Sequence, residues 1–222
     1  MDKKLFAEAI IKIVSGIILV GLLLFLPGTI EYWQGWLFMG VLFIPMFIAG
    51  IIMMIKDPEL LRRRLDNKEK ETEQKTVILL SGLMFLVGFI LAGLNYRFEW
   101  LVLPNIITWL GNISFLLSYL LYGEVLRENS YLLRTIKVEK NQKLVDTGLY
   151  GIVRHPMYST TLVLFLSMPL ILGSLISFII FLAYPFIIAK RIKNEEEVLE
   201  RDLKGYKEYK EKVKYKMIPY IW

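Results

Sequence analysis

Long blocks of hydrophobic residues, separated by short polar stretches, run through most of the chain. Apolar runs of about 18 residues or more are typical of helices that cross a membrane. The pattern predicts hydrophobic segments over residues 5–26, 36–55, 76–94, 105–122, 158–172 and 175–189. We therefore predict an all-α fold, a polytopic integral membrane helical bundle with about five or six transmembrane segments.

The last two hydrophobic segments are short for a hydrocarbon core that is about 30 Å thick. Only Gly173 and Ser174 separate them, and so short a connection predicts a tight helical hairpin with antiparallel arms. Pro169 and Pro185 lie within the two arms, where proline removes a helical hydrogen bond and favours a kink. We expect a hairpin that is tilted, kinked or incompletely spanning.

The charged tail after the hairpin predicts a cytoplasmic C-terminal helix that begins near Asn194. Apolar residues recur in this tail at spacings of three and four, which places them on one face of a helix. They are Leu199, Leu203, Tyr206, Tyr209 and Val213. We therefore predict a surface helix that lies against the membrane.

The distribution of basic residues predicts the orientation of the chain. The 222 residues include 27 Lys or Arg and carry a formal net charge of +6. The connections 27–35 and 173–174 contain none, and 95–104 contains only Arg97. All other basic residues lie on the opposite side or near helix ends on that side, which is the cytoplasmic side by the positive-inside rule. We expect both termini in the cytoplasm.

Topology and anionic lipid head groups account for this positive charge, so we predict membrane lipids as partners and no nucleic acid. Cysteine is absent and histidine occurs once, which argues against thiolate and histidine metal sites and against disulfides. Glycines never occur as Gly-x-Gly, so the dinucleotide-binding fingerprint is missing. The compact length and the lack of cysteine favour a prokaryotic cytoplasmic membrane.

The chain divides into two parts by polarity. Residues 1–123 contain four hydrophobic spans and little that indicates chemistry, whereas residues 124–222 contain three polar clusters, at 143–151, 154–158 and 191–197. Because the hairpin arms are antiparallel, the second and third clusters must lie close together at one depth. Ionisable groups gathered at such a point indicate a functional site.

Each cluster also has an ordinary structural explanation. Arg154 and His155 could anchor the chain at the interface, Pro156 could open a helix, and Tyr158 could belong to an aromatic belt. The glutamates at 195–197 could complement the dipole at a helix start. The convergence of the chain's only histidine with arginines and glutamates favours a site over these explanations.

The second part contains a series of short motifs in a fixed order. They are Arg-His-Pro-x-Tyr at 154–158, the short hairpin, Glu-Glu at 196–197, Gly-Tyr-x-x-Tyr at 205–209 and Ile-Pro at 218–219, with Leu-Val-x-Thr-Gly-x-Tyr at 144–150 upstream. These motifs resemble the isoprenylcysteine carboxyl methyltransferase family, within a wider group that includes phospholipid methyltransferases. The resemblance covers about residues 138–222. The first four spans are similar only in number and general style.

The resemblance implies S-adenosylmethionine as the methyl donor and a lipophilic acceptor that enters sideways from the bilayer. The implied cofactor contacts are Gln142, Lys143, Leu144, Val145, Tyr150, His155, Pro156, Met157 and Tyr158. The implied catalytic residues are Glu196, on the acceptor side, with Arg191 and Arg154. Eukaryotic members of the family have an arginine where this chain has Ile192, and Arg191 stands one residue earlier.

The favoured function is O-methylation of a carboxylate, as in that family. A carboxylate is ionised at neutral pH and needs no base, so Arg191 or Arg154 would orient it. A phospholipid or amine N-methyltransferase would need a base, for which Glu196 is the candidate. An NADPH-dependent enzyme of the sterol-reductase type and a non-catalytic lipid-binding membrane protein are the remaining alternatives. The acceptor and the oligomeric state stay open.

Overall fold

The computed structural model describes residues 3–65, 72–129, 131, 138 and 142–222 of the chain. The helices are α1 Lys3–Phe25, α2 Trp33–Lys56, α3 Pro58–Leu65, α4 Thr72–Phe98, α5 Asn105–Glu128, α6 Pro156–Ile171, α7 Leu175–Phe181, α8 Tyr184–Asp202 and α9 Tyr206–Lys212. A short 3-10 helix, Gly148–Gly151, precedes α6.

The prediction of a polytopic helical membrane bundle is confirmed. In the described part of the chain, five stretches are long and apolar enough to cross a membrane: α1, α2, α4 from Gln74, α5, and α7 with α8 taken together. Helix α6 is apolar but shorter. Many large apolar side chains point outward from these helices, as expected where lipid replaces water around a protein.

The hairpin helices α6 and α7 are enclosed by the other spans. Helix α6 packs along α5 and also contacts α2, α4 and α8, while α4 packs against α7 and α8. Phenylalanine rings from α2, α4, α5, α6 and α7 meet in the centre, with ring centroids as close as 4.9 Å. This aromatic core holds the hairpin in place through packing, because burial from water contributes little between helices in lipid.

Two glycines allow the close approach of the hairpin. A Cβ atom at Gly88 of α4 would lie 2.4 Å from the ring of Phe181, and one at Gly111 of α5 would lie 2.9 Å from the backbone of Ile171. A larger residue at Gly111 would push the backbones of α5 and α6 apart, and one at Gly88 would displace the Phe181 ring. Small residues at helix contacts are typical of membrane bundles for this reason.

The predicted tight turn between the hairpin arms is present. Gly173 adopts a positive φ of 64°, a conformation that glycine adopts without steric cost. The Tyr32 hydroxyl donates a hydrogen bond of 2.5 Å to the carbonyl of Leu172. The second arm differs from the prediction, because it consists of two helices: α7 ends at Phe181, and α8 carries Pro185 in its first turn.

The prediction of one tail helix that begins near Asn194 is wrong about where the helices begin and end. Helix α8 continues without a break from the membrane segment to Asp202, and Gly205, with a φ of 85°, separates it from α9. The five predicted apolar residues still pack together, but against Leu144 and Val138. They hold the chain segment before α6 in place. The explanation of the glutamates at 195–197 as helix-start charges is also wrong, because α8 begins at Tyr184.

Candidate active site

A cavity opens between the start of α6, the second half of α8, α9 and the segment 142–145. It encloses about 800 Å³, counting the solvent at its open mouth. The predicted site residues that line it are Gln142, Lys143, Leu144, Val145, Tyr150, Arg154, His155, Met157, Tyr158 and Arg191. Two predicted residues, Pro156 and Glu196, lie outside its walls.

The remaining wall residues were not assigned from the sequence. They are Asn129, Tyr131, Glu195, Val198, Leu199, Leu203, Tyr206 and Tyr209. Two signals could have identified several of them. Glu195 stands four residues after Arg191 and so shares its helix face, and Tyr206 and Tyr209 belong to the motif at 205–209.

The C-terminal segment 213–217 positions the start of α6. The backbone N–H groups of Arg154 and His155 donate to the carbonyls of Tyr215 and Lys216, at 2.9 and 2.8 Å. Pro156 follows at the first helical position, where its missing N–H leaves no helical bond unmade. The two polar side chains before Pro156 are thereby held at the wall of the cavity.

Glu196 lies in a buried charged cluster behind that wall. Its Oε1 accepts from Arg154 Nε at 2.7 Å and lies 3.3 Å from His155 Nε2, and Lys216 Nζ lies 3.6 Å from its Oε2. Arg154 Nη1 also donates to the carbonyls of Val213 and Lys214, at 2.7 and 2.8 Å. Buried charges are stable only when paired and hydrogen-bonded, and this cluster joins α6, α8 and the segment 213–217.

A second polar network lies on the cavity side of α8. Arg191 Nε donates to the Tyr158 hydroxyl at 2.8 Å, and that hydroxyl donates to Glu195 Oε2. Arg191 Nη1 also donates to Gln74 Oε1 of α4 at 3.4 Å. Glu195 Oε1 lies 3.9 Å from His155 Nδ1. A cation and an anion thus face the cavity on either side of one hydroxyl.

Two hydrogen bonds to the short 3-10 helix anchor the segment before α6. The Tyr209 hydroxyl donates to the carbonyl of Tyr150 at 2.7 Å, and the backbone N–H of Leu149 donates to Glu128 at 2.9 Å. Gly148 has a φ of 57°, and a Cβ there would lie 1.8 Å from the carboxylate of Glu128. Glycine is therefore required at this position of the motif.

The cavity fits a ligand with both polar and apolar parts. Leu144, Val198 and Leu199 supply apolar surface. The hydroxyl of Tyr206 is buried and has no hydrogen-bond partner among the residues that the structure describes. Burial raises the pKa of Tyr206 well above its ordinary value, so it stays neutral and can donate. A buried donor without a partner is a group that a ligand can satisfy.

Comparison with known proteins identifies the family. The phospholipid methyltransferase family model matches residues 106–205. Protein-S-isoprenylcysteine O-methyltransferase B of Arabidopsis thaliana is 30% identical over 147 residues, which are 61% of this chain and 74% of that protein. The chain belongs to the isoprenylcysteine carboxyl methyltransferase family.

Two further relatives share sequence with the chain over different parts of their lengths. Protein-S-isoprenylcysteine O-methyltransferase of Dictyostelium discoideum is 29% identical over 154 residues, 63% of this chain and 62% of that protein. Delta(14)-sterol reductase TM7SF2 of Mus musculus is 30% identical over 93 residues, 40% of this chain but only 22% of the reductase. The chain is therefore a membrane methyltransferase, and the resemblance found in its motifs is confirmed.

Proposed function

We propose that this protein transfers a methyl group from S-adenosylmethionine to the carboxylate of a lipophilic acceptor that reaches the cavity from the bilayer. The observation that carries the proposal is the cavity itself. It gathers most of the residues that the family resemblance implies, and Arg191 faces it from α8. Both isoprenylcysteine relatives are named as O-methyltransferases.

On the donor side, the segment 142–145 and the start of α6 would hold the cofactor. Bound there, S-adenosylmethionine supplies an electrophilic methyl group on a cationic sulfur. The apolar surface of Leu144 and Leu199 suits the adenosine portion, and the buried hydroxyl of Tyr206 offers it a hydrogen bond. The main contribution of these residues to the rate would be alignment of the reacting atoms.

On the acceptor side, Arg191 is better placed than Arg154 to orient a carboxylate. Arg154 is nearly fully buried, and its guanidinium already donates to Glu196 and to two backbone carbonyls. Arg191 is partly exposed at the cavity. An arginine guanidinium matches a carboxylate in geometry and charge. We assign Arg191 the orienting role.

Methylation of an amine has less support. It would need a base, and the predicted base, Glu196, lies outside the cavity walls and already accepts from Arg154. The catalytic role of Glu196 stays a prediction from the sequence. Its contacts favour a positioning role, in which it holds Arg154 and the start of α6.

The division of the chain into residues 1–123 and a catalytic part, 124–222, also stays a proposal. Its support is that every wall residue of the cavity lies between Asn129 and Tyr209. The contact from Arg191 to Gln74 links the catalytic part to α4. The first four spans would enclose the hairpin and present the acceptor from the lipid.

We further propose that both termini and the cavity face the cytoplasm of a prokaryotic cell. The support is the concentration of basic residues on that side. Reporter fusions after residues 30 and 100 should read outside, and fusions after residues 65 and 222 should read inside. An inside signal after residue 100 would contradict this orientation.

Transfer of labelled methyl groups tests the reaction. The purified protein is supplied with labelled S-adenosylmethionine and, separately, an N-acetylated S-prenylcysteine, a fatty acid or an aminophospholipid. A carboxyl methyl ester releases the label as methanol in alkali, whereas an N-methyl group keeps it. We expect alkali-labile label on a carboxylate. Alkali-stable label on the aminophospholipid would overturn the proposal in favour of N-methylation.

A cofactor measurement provides the control for the reductase alternative. S-adenosylhomocysteine should raise the melting temperature of the detergent-solubilised protein, because a ligand at about 100 times its Kd adds about 2.7 kcal/mol to the stability of the native state. NADPH should have no such effect. The reverse result would favour the sterol-reductase type of enzyme.

A further inference from the structure

We propose that Arg191, Tyr158 and Glu195 form a dipolar surface that recognises the two oppositely charged reactants, with Arg191 contacting the acceptor's carboxylate and Glu195 attracting the cationic donor. The proposal rests on the proposed function and deepens it. It assigns a role to Glu195, which sequence analysis placed only in a charged cluster.

The first support is the position of the Tyr158 hydroxyl between the charged groups of Arg191 and Glu195. Arg191 and Glu195 lie one turn apart on the same face of α8, a spacing at which arginine and glutamate often pair directly. Here the Tyr158 hydroxyl stands between them, accepting from Arg191 Nε at 2.8 Å and donating to Glu195 Oε2. The tyrosine keeps both charged groups at the cavity wall while holding each in position.

The second support is the direction of the dipole. Glu195 lies at the start of α6, where its Oε1 is 3.9 Å from His155 Nδ1, and this is the motif expected to contact the donor. Arg191 extends toward α4, where its Nη1 donates to Gln74 at 3.4 Å. The negative end of the surface is therefore on the donor side and the positive end on the side of the first four spans.

The third support is that the two buried charges nearby, those of Arg154 and Glu196, compensate each other. Glu196 accepts from Arg154 at 2.7 Å and has Lys216 at 3.6 Å. Both Arg154 and Glu196 are nearly fully buried. This buried pair is neutral as a unit, and the side chain of Lys216 is 27% exposed, so solvent screens its charge. Arg191 and Glu195 are the charged groups of α8 that line the cavity.

The chemistry explains why such a surface is useful. A lone pair of the acceptor's carboxylate oxygen forms the new bond to the methyl carbon while the carbon–sulfur bond breaks and its electron pair stays on sulfur. An anion and a cation are consumed, and an uncharged ester and an uncharged thioether are formed. A dipolar wall therefore holds both reactants more tightly than both products, which favours release of the products.

The donor half of the proposal is tested by affinity. Glu195→Gln keeps the size and the ability to accept from Tyr158 but removes the charge. Calorimetry in detergent should show an affinity for S-adenosylmethionine about tenfold lower, because the attraction between the carboxylate and the cationic sulfur is lost. The affinity for S-adenosylhomocysteine, whose sulfur is uncharged, should be nearly unchanged. The matched control is Glu197→Gln, which removes the same charge from the exposed neighbour and should alter neither affinity.

The acceptor half is tested with an acid and its ester. Arg191→Gln should lower the affinity for an N-acetylated S-prenylcysteine about tenfold and leave the affinity for its methyl ester nearly unchanged. The same variant should bind S-adenosylhomocysteine like the wild type. Glu195→Gln should not reproduce the loss of affinity for the acid.

The outcomes distinguish a failure of the dipolar surface from a failure of the proposed function. If Glu195→Gln weakens S-adenosylmethionine and S-adenosylhomocysteine equally, or Arg191→Gln weakens acid and ester equally, the dipolar surface is wrong even though the wild type still methylates a carboxylate. If the wild type binds neither cofactor form, the proposed function fails, and this inference fails with it.

Discussion

Glu195 and Glu196 are neighbours in α8, yet their carboxylates lie in different surroundings. The side chain of Glu196 is 6% exposed and is held by Arg154, His155 and Lys216, whereas that of Glu195 is 21% exposed and lines the cavity beside Tyr158. Successive residues of an α-helix point about 100° apart. Adjacent positions of α8 therefore carry one carboxylate that is enclosed in the framework and one that lines the cavity.

The comparison teaches that charge and sequence position do not by themselves indicate a catalytic role. A carboxylate that accepts from several buried donors contributes mainly to the arrangement of its neighbours. A carboxylate such as Glu195, which accepts from the Tyr158 hydroxyl and lines an open cavity, can interact with what enters. If the two clusters are separate in function, substitutions in the first should lower stability and substitutions in the second should lower turnover or affinity.

Removal of the framework carboxylate should have the largest effect. Glu196→Ala leaves the buried guanidinium of Arg154 without its charged partner, and breaking a buried ion pair costs about 3–5 kcal/mol. We expect a large drop in the melting temperature of the solubilised protein. The control, Glu197→Ala on the exposed face, should change stability by no more than about 0.5 kcal/mol. Equal stability of both variants would contradict the framework role.

Removal of the hydroxyl between Arg191 and Glu195 should have an intermediate effect. Tyr158→Phe keeps the ring but releases both charged partners, so we expect turnover to fall about tenfold, or ~1.4 kcal/mol in the activation barrier. The measurement is single-turnover methyl transfer. Tyr184→Phe is the matched control, because its buried hydroxyl is bonded to Thr161 at 2.8 Å and does not line the cavity. Equal losses in both variants would indicate a purely structural hydroxyl.

Lys216 stands at the edge of the framework cluster and should matter least. Its Nζ lies 3.6 Å from Glu196 Oε2, and its side chain is 27% exposed. Partly solvated ion pairs contribute about 1 kcal/mol or less, so Lys216→Gln should lower the melting temperature slightly and leave affinity for S-adenosylhomocysteine unchanged. Lys214→Gln serves as the exposed control. A loss as large as that of Glu196→Ala would show that Lys216 is the main partner.

Much of the fold could be predicted from the pattern of apolar residues, since spans long enough to cross a membrane are visible in any sequence. The tight turn at Gly173 and the convergence of 154–158 with 191–197 followed from the hairpin. The break between α7 and α8 and the turn at Gly205 were missed. Both are local changes of the backbone. The apolar pattern continues through the first and the charged pattern through the second, so the residue types do not mark either one.

The spans, the hairpin, the polar clusters and the family motifs could all be predicted from the sequence, because they depend on residue types and on their spacing. The tertiary structure decided which clustered residues face the cavity. Packing rotates α8 so that Tyr184, Ile188, Ile192 and Glu196 form its buried stripe, and Arg191 and Glu195 are thereby turned to the open side. The carbonyls of residues 213–216 that hold Arg154 and His155 have no sequence signal, since every residue carries a carbonyl and only the folded chain brings these to the site.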